Sequence, residues 1–444
     1  MKFKMAVCSL LLVCLVLLFS ACSSSEDSNT TTSENGKTNR DEDVKLTFYT
    51  VNDNNTFSEI IKAYEEVKPE VEVEMINAQA GLDYIQKYEA LQASGNAPTL
   101  AMLEPATILK YKDSFLDLET EKEKYQNLTL SGTVERNLFE GKFLGVPFTT
   151  QGYGLLFNTR VVEEAIGGKF DPESINTQEA LAGLFEKIKA SGTTPVIIHG
   201  ANWSLGSHYM GLNYALQSKS NEDNLNYIEG LKNGEVDLSN DNVLNGLIDT
   251  FDILKEYNLR YDDPLVANIE HDGIDFARGN AAFYFMGDWA WANIQPVEGH
   301  DKEYGIIPVP ISNDPSQYGN NEIPVSEPFL FSIDNTKSSP EQQQAAKDFI
   351  EFMVTSEEGQ SAFVNLQRIT MPYKDVKVES DNLLSPAIQK YAEEGNTINI
   401  GIMKYLPGDH YAEIGSVMQK YLTDNIDRQG FIEEFGDYWQ SKGE

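Results

Sequence analysis

The sequence predicts an α/β protein of two interleaved lobes, and three features point there. From Val44 onward, strand-like and helix-like stretches alternate. The stretch "GKFLGVPFTTQGYGLLFNTRVV", with Gly145, Pro147, Gly152 and Gly154, interrupts that rhythm, and a second alternating block follows it. No long Pro/Gly-rich linker occurs after Asp43. Alternation of strand and helix implies a parallel sheet with right-handed crossovers. A second block without a linker implies lobes joined by several chain crossings rather than beads on a string.

The elements follow in order. "VKLTFYTV" reads as a strand with Leu46 and Phe48 buried, and the polar loop "NDNN" ends it. Phe57, Ile60, Ile61 and Tyr64 recur at helical spacing up to the stop at Pro69. "VEVEMI" alternates as a strand, Leu82 to Ser94 reads as a helix, and "PTLAML" is a strand ending at Glu104. In open α/β sheets ligands bind beyond the carboxyl ends of the strands, here around Asn52–Asn55 and Glu104.

The second block opens with a helix from Thr177 to Ala190, with Asn176 as its cap and Glu179 three residues on. "PVIIHG" is a strand leading to Asn202, Trp203 and another helix. "FARGNAAFYFMGDW" reads as a helix end, a glycine turn and a buried strand from Ala281 to Met286. "YGIIPVPI" crosses back with two prolines, "PFLFSI" is one more strand, and mainly helices follow. Within "GDWAWANI" one alanine separates Trp289 from Trp291. In an extended segment the two indoles point to opposite sides, one to a cleft and one to a core.

The N-terminus reads as an export signal. Lys2 and Lys4 precede an apolar run from Ala6 to Phe19, too short for a membrane span, and small residues Ser20 and Ala21 lead to Cys22. "FSAC" resembles the bacterial lipobox, with Phe19 where Leu, Val or Ile is more common. That resemblance implies removal of residues 1–21 and lipid modification of Cys22, palmitate among the acyl groups. Cys8 and Cys14 leave with the signal, so the folded part holds no cysteine. Its stability then comes from a large core rather than from disulfides. Residues 23–43, "SSSEDSNTTTSENGKTNRDED", contain no apolar residue and read as a solvated tether reaching roughly 25 Å. A net charge of −35 argues against nucleic acid and against a polybasic membrane contact.

Catalytic signatures are missing. Gly36-Lys37-Thr38 has Thr31 where a phosphate loop needs its first glycine, and "GYGLLF" has Phe157 where a dinucleotide loop needs its third. There is no Gly-x-Ser-x-Gly elbow and no His-Glu-x-x-His, and the five histidines are scattered. No enzyme, metal or cofactor is expected, although 69 acidic residues leave a paired-carboxylate glycosidase or lyase as the alternative.

Three stretches, taken in order, resemble the family 1 extracellular solute-binding proteins of ATP-driven importers, the maltose-binding-protein type. They are "GVPFTTQGYGLLFNTRVV", "FARGNAAFYFMGDWAWANI" with "YGIIPVPI", and "AAKDFIEFMVTSEEGQ". "WAWANI" is similar to the maltodextrin-binding members, and "YLPGDHYAEIGSVMQKYL" to the subgroup taking raffinose-type oligosaccharides. The resemblance implies a type II periplasmic-binding-protein fold, with a ligand cleft between two lobes and three hinge crossings. The N-terminal lobe would comprise 44–147 plus 312–366, and the C-terminal lobe 153–305 plus 372–444. It implies a monomeric, lipid-anchored protein on the outer face of the cell membrane. Such a protein binds an oligosaccharide (an α-galactoside, a maltodextrin or a relative) and serves permease subunits; a non-sugar solute on the same fold is the other alternative.

Sugar chemistry suits the residues. Carboxylates and amides match the hydroxyl rim of a pyranose, and flat aromatics cover its C–H faces. The resemblance puts Trp289 against the sugar. Asn202 and Trp203, between a strand and a helix, occupy a cleft edge. Glu104 ends an apolar strand, where an acid is costly unless it faces a cleft. Asn52 and Asp53 lie in the first loop, and Phe148 and Gln151 at the first crossing. Glu327 opens "PFLFSI", and Asp409 with His410 sits in a glycine-bounded loop; these complete the candidate ligand-binding set.

Overall fold

A computed structural model describes residues 44–51, 55–78, 82–266 and 268–443. The signal segment 1–21, Cys22, the tether to 43, and Asn52 and Asp53 lie outside the described residues. Among the described residues, no helix is long and apolar enough to cross a membrane.

The first sheet contains β1 (Val44–Val51), β2 (Val71–Ala78), β3 (Leu100–Leu103), β4 (Val146–Pro147) and a late strand, Leu330–Ile333. β1 pairs in parallel with both β2 and β3, as the strand–helix alternation requires. Leu330–Ile333 lies antiparallel between β3 and β4, so the sheet is completed by a segment more than 180 residues downstream. Helix Thr56–Val67 buries Phe57, Ile60, Ile61 and Tyr64 against it. Edge-to-face contacts of Phe48 with Phe57 (5.0 Å), Phe331 (5.9 Å) and Phe349 (5.9 Å) tie the early and late segments into one core.

The second sheet is built around β5 (Gln151–Asn158), with β6 (Thr194–Ile198), β7 (Ala281–Gly287), β8 (Tyr304–Ile307), β9 (Ile323–Ser326) and, after Leu330–Ile333 (β10), β11 (Thr397–Asn399). β5 is antiparallel to β7, β8 and β9, whereas β6–β7 and β9–β11 are parallel. Helix Gln178–Ala190 is capped by Thr177, whose Oγ1 accepts from the Ala180 N–H at 3.1 Å. Asn176, expected in that role, instead bonds Asn321.

Two of the expected lobe limits shift. Segment 312–326 belongs with the second sheet: β9 pairs with β5, and Val309 and Ile311 are buried in the second core. The Asn320 side chain accepts from Ile311 N (2.8 Å) and donates to the carbonyls of Ser312, Asp314 and Asn176, which pins this loop to that lobe. The chain therefore returns after Ser326, not at "YGIIPVPI". Residues 370–373 stay with the first lobe, because Met371 and Tyr373 are in its core and the Tyr373 hydroxyl donates to Pro147 O at 2.7 Å. The last crossing then runs from Tyr373 to Leu384, which packs beside Ile323 and Ile388. The fold class stands as the sequence predicts: two α/β lobes joined by three crossings.

Candidate functional site

The residues that bear on function gather where strands end near the crossings. β7 ends at Gly287, followed by one tight 3₁₀ turn, Asp288–Ala290, and a short helix, Trp291–Ile294. A Cβ built on Gly287 would lie 2.0–2.4 Å from ring atoms of Trp289, so the indole folds back over a position only glycine can fill. Helical rather than extended geometry separates the two tryptophans, yet two residues of a helix still face nearly opposite ways. Trp289 is half-buried. Trp291 is 1 % exposed and packs edge-on against His300 (5.3 Å) and Tyr304 (5.9 Å).

At the end of β6, His199 bonds Asp272 at 2.8 Å, and Asp272 also accepts from Arg260 at 2.8 Å, a buried network behind the strand end. Trp203 then opens a π-helical segment, Trp203–Tyr209. Gly206 within it lets the segment pack on helix His410–Leu422, because an added Cβ would meet Tyr411 O at 2.3 Å. Trp203 is half-buried, its ring 5.0 Å from His199.

Between the two indoles lies His208, a residue the sequence reading passed over. Its ring stands 4.7 Å from Tyr153, 4.9 Å from Trp289 and 5.4 Å from Trp203. Desolvation pushes its pKa down to about 4, so the imidazole is neutral at physiological pH and offers one donor and one acceptor. The π-turn is what brings His208 back beside Trp203 five residues earlier, since a π-helix closes on i+5 rather than i+4.

Asp288 occupies the junction of the crossings. Its carboxylate accepts from Gly152 N (3.3 Å) at the start of β5 and from Thr370 Oγ1 (3.1 Å), and Thr370 bonds Ser385 at 2.6 Å. It is 2 % exposed, and desolvation pushes its pKa up to about 7 against the pull of those bonds. In the first lobe, Glu104 follows β3 as the residue before helix Pro105–Lys110 but makes no capping bond with its side chain. It is half-buried, desolvation holds its carboxyl above the usual range, and that carboxyl has no hydrogen-bonding partner among the described residues. Gln151 and Asn202 are half-buried at the first crossing and beside Trp203, respectively.

Four expected site residues are placed elsewhere. Phe148 is 1 % exposed, stacked on Phe331 at 4.3 Å in the first core. His410 is 2 % exposed and bonds the Tyr214 hydroxyl at 2.6 Å inside the second core. Asp409 is exposed and bonded by Lys442 (2.6 Å) and Tyr438 (3.1 Å). Glu327 is buried and fully engaged by Arg136 (2.6 Å) and Asn137 (2.9 Å), which makes it a clasp at the second crossing. Phe148 and His410 are enclosed in the two cores, and the carboxylates of Asp409 and Glu327 are held by partners within the protein.

Two α/β lobes, three crossings and half-buried aromatics at strand ends beside the junction define a two-lobed binding-protein fold. The family of bacterial extracellular solute-binding proteins matches residues 59–393, and this chain belongs to it. A probable sugar-binding periplasmic protein of Mesorhizobium japonicum is 29 % identical over 119 residues, 26 % of this chain and 28 % of that protein. An uncharacterized ABC transporter extracellular-binding protein of Pyrococcus horikoshii is 24 % identical over 68 % of each chain. Among solved structures, the apo form of RafE from Streptococcus pneumoniae superposes with a TM-score of 0.74 at 20 % identity, covering 91 % of this chain and 99 % of that one. RafE in complex with raffinose gives 0.71 at 20 % identity over 90 % and 100 %. A Bacillus licheniformis sugar transporter in complex with stachyose gives 0.65 at 18 % identity over 90 % and 100 %.

Proposed function

We propose that this protein is a lipid-anchored receptor on the outer face of a bacterial membrane. In this role it captures an oligosaccharide between its lobes and presents it to the permease of an ATP-driven importer. The observation that carries the proposal is the group Trp203, His208 and Trp289, half-buried where β6 and β7 end beside the crossings; the unpartnered carboxyl of Glu104 stands separately at the carboxyl end of β3. Flat indoles cover the C–H faces of a sugar, a neutral imidazole exchanges hydrogen bonds with its hydroxyls, and a free carboxylate accepts from others. The bound raffinose and stachyose of two structural neighbours, and the name of the Mesorhizobium relative, support a sugar as the ligand. Cys22 would carry the lipid, and the protein would act as a monomer whose closed form the permease reads.

The test is calorimetric titration of the protein lacking residues 1–22 with raffinose and stachyose, with recovery of the sugar afterwards. Micromolar binding, about −8 kcal/mol, of a sugar recovered unchanged is the expected result. Cleavage of the sugar would overturn the receptor reading in favour of a surface glycosidase.

A further inference from the structure

Asp288 joins the two lobes at the turn that carries Trp289. One carboxylate oxygen accepts from Gly152 N–H (3.3 Å), where β5 opens the second lobe. The other accepts from Thr370 Oγ1 (3.1 Å), in the segment that stays with the first lobe. Its backbone carbonyl accepts from the Asn382 amide (3.3 Å), which also bonds Arg368 O. Thr370 is itself tied to the first crossing, because Thr150 N–H donates to its carbonyl at 2.8 Å. Through these bonds the first and third crossings meet on one side chain, and the next residue along the chain is the indole platform.

The hydroxyl chain beyond the carboxylate runs either way. Thr370 Oγ1 stands 2.6 Å from Ser385 Oγ, and either hydroxyl can donate. With Asp288 ionised, Ser385 donates to Thr370 and Thr370 to the carboxylate. With Asp288 protonated, its O–H donates to Thr370, and Thr370 donates to Ser385. Every bond survives in both states, so this buried carboxyl takes up or releases a proton without leaving an orphaned group. The ionised bond to Thr370 is charge-assisted and roughly twice as strong as the neutral one. The titratable groups on elements packed against the turn are Tyr153 on β5, Tyr284 on β7 and His208 on the π-turn, all neutral at physiological pH. The charged groups are Arg368, Lys374, Asp375, Lys377, Glu379 and Asp381 along the third crossing, and Lys390, Glu393 and Glu394 on helix Ser385–Glu394. None of them shifts the carboxyl, which responds to burial, Thr370, Gly152 and its own backbone N–H.

We propose that Asp288 is a positioning residue that couples hinge rotation to the Trp289 platform: ionised, it clamps Thr370 across the lobes, and taking up a proton loosens the clamp and favours closure. The two ends of that bond belong to different lobes, so rotating one lobe against the other stretches it. Stretching costs more when the carboxylate is charged. Closure on a ligand therefore draws a proton to Asp288, and by linkage the ligand binds more tightly below the carboxyl's midpoint than above it. The inference rests on the sugar-receptor reading above and adds a proton to its binding reaction.

The test follows the protein lacking residues 1–22, which retains every described residue, by NMR of 15N-labelled tryptophan. The Trp289 indole N–H is identified by its loss in Trp289→Phe. Between pH 5.5 and 8.5 that resonance should move with a midpoint of about 7 in the empty wild type. It should stay still in Asp288→Asn, a neutral isostere that keeps both bonds. The ring neighbours of Trp289, His208 and Tyr153, do not titrate in this range. Thr370→Val removes a donor that favours the ionised form, so its midpoint should rise by about half a pH unit or more. Calorimetric titration should show raffinose affinity falling about threefold or more from pH 6 to pH 8 in wild type and staying at the tighter value in Asp288→Asn. An unmoving Trp289 resonance in wild type would overturn the proposal, as would equal movement in Asp288→Asn or equal raffinose affinity at the two pH values. Should Asp288→Asn fail to fold, an unshifted midpoint in Thr370→Val would overturn it and a raised one would support it. Wild type binding neither raffinose nor stachyose at either pH would overturn the receptor reading, and the resonance titration would then decide whether Asp288 sets Trp289.

Discussion

Replacing each tryptophan of "GDWAWANI" with alanine separates binding from stability. Trp291 is 1 % exposed inside a packed cluster with Ile294, Tyr304 and Ile323, so truncation leaves a cavity costing about 3–5 kcal/mol. Its indole N–H has no partner, so no hydrogen bond is added to that loss. At about 2 °C per kcal/mol for a lobe of roughly 200 residues, melting should fall by about 6–10 °C. Trp289 is only half-buried, against His208 and Tyr153, and its removal should cost the empty protein about 1–2 kcal/mol. A sugar face covering roughly 55 Å² of indole contributes about 1.4 kcal/mol at about 25 cal/mol/Å², so Trp289→Ala should weaken raffinose binding at least tenfold. Calorimetric titration and thermal melting of both variants measure the two effects. If Trp291→Ala abolished binding with melting unchanged, or Trp289→Ala left affinity untouched, the assignment of the two faces would be refuted.

Asp288 provides a pH test. A folded-state pKa of about 7, above the unfolded value near 3.9, means the folded protein holds a proton the unfolded chain has released. Stability should therefore fall as pH rises from about 4 to about 7, by up to about 4 kcal/mol from this group, and Asp288→Asn should flatten that slope in urea melts. The desolvated imidazoles of His208 and His410, with pKa values pushed down to about 4 and about 3, should show no NMR titration between pH 8 and pH 5.5; a midpoint near 6.5 for either would contradict its burial. Arg136→Ala strands the buried Glu327 carboxylate and should cost about 3 kcal/mol or more in denaturant melts, with raffinose affinity changing less than threefold.

Much of this was legible in the chain. Strands β1 to β3, β6 and β7 and their helices follow from hydrophobic period and local caps, and those signals are contained within each segment. The return crossing was misplaced for a local reason. β9 is four residues long and carries Pro324, and a proline inside a short run argues against a strand. The two prolines of "YGIIPVPI" look like a break but lie against the second core, where Thr250 bonds Pro310 O. Phe148, set among glycines and a proline, reads as a ligand-binding candidate at the first crossing because the rings that bury it, Phe331 and Phe363, come from distant sequence. His208 was missed because a five-residue spacing has no meaning on an α-helix and only the π-turn gives it one.

The late insertion of β10 between β3 and β4 has a consequence for biogenesis. The first sheet has no central antiparallel strand until Leu330–Ile333 is available, and its core is incomplete before Tyr373. A chain emerging from its N-terminus thus has most of its length exposed before either lobe can close. Contacts of such long sequence separation form slowly. With that topology the first lobe gains its rigidity only once most of the chain is available to pack.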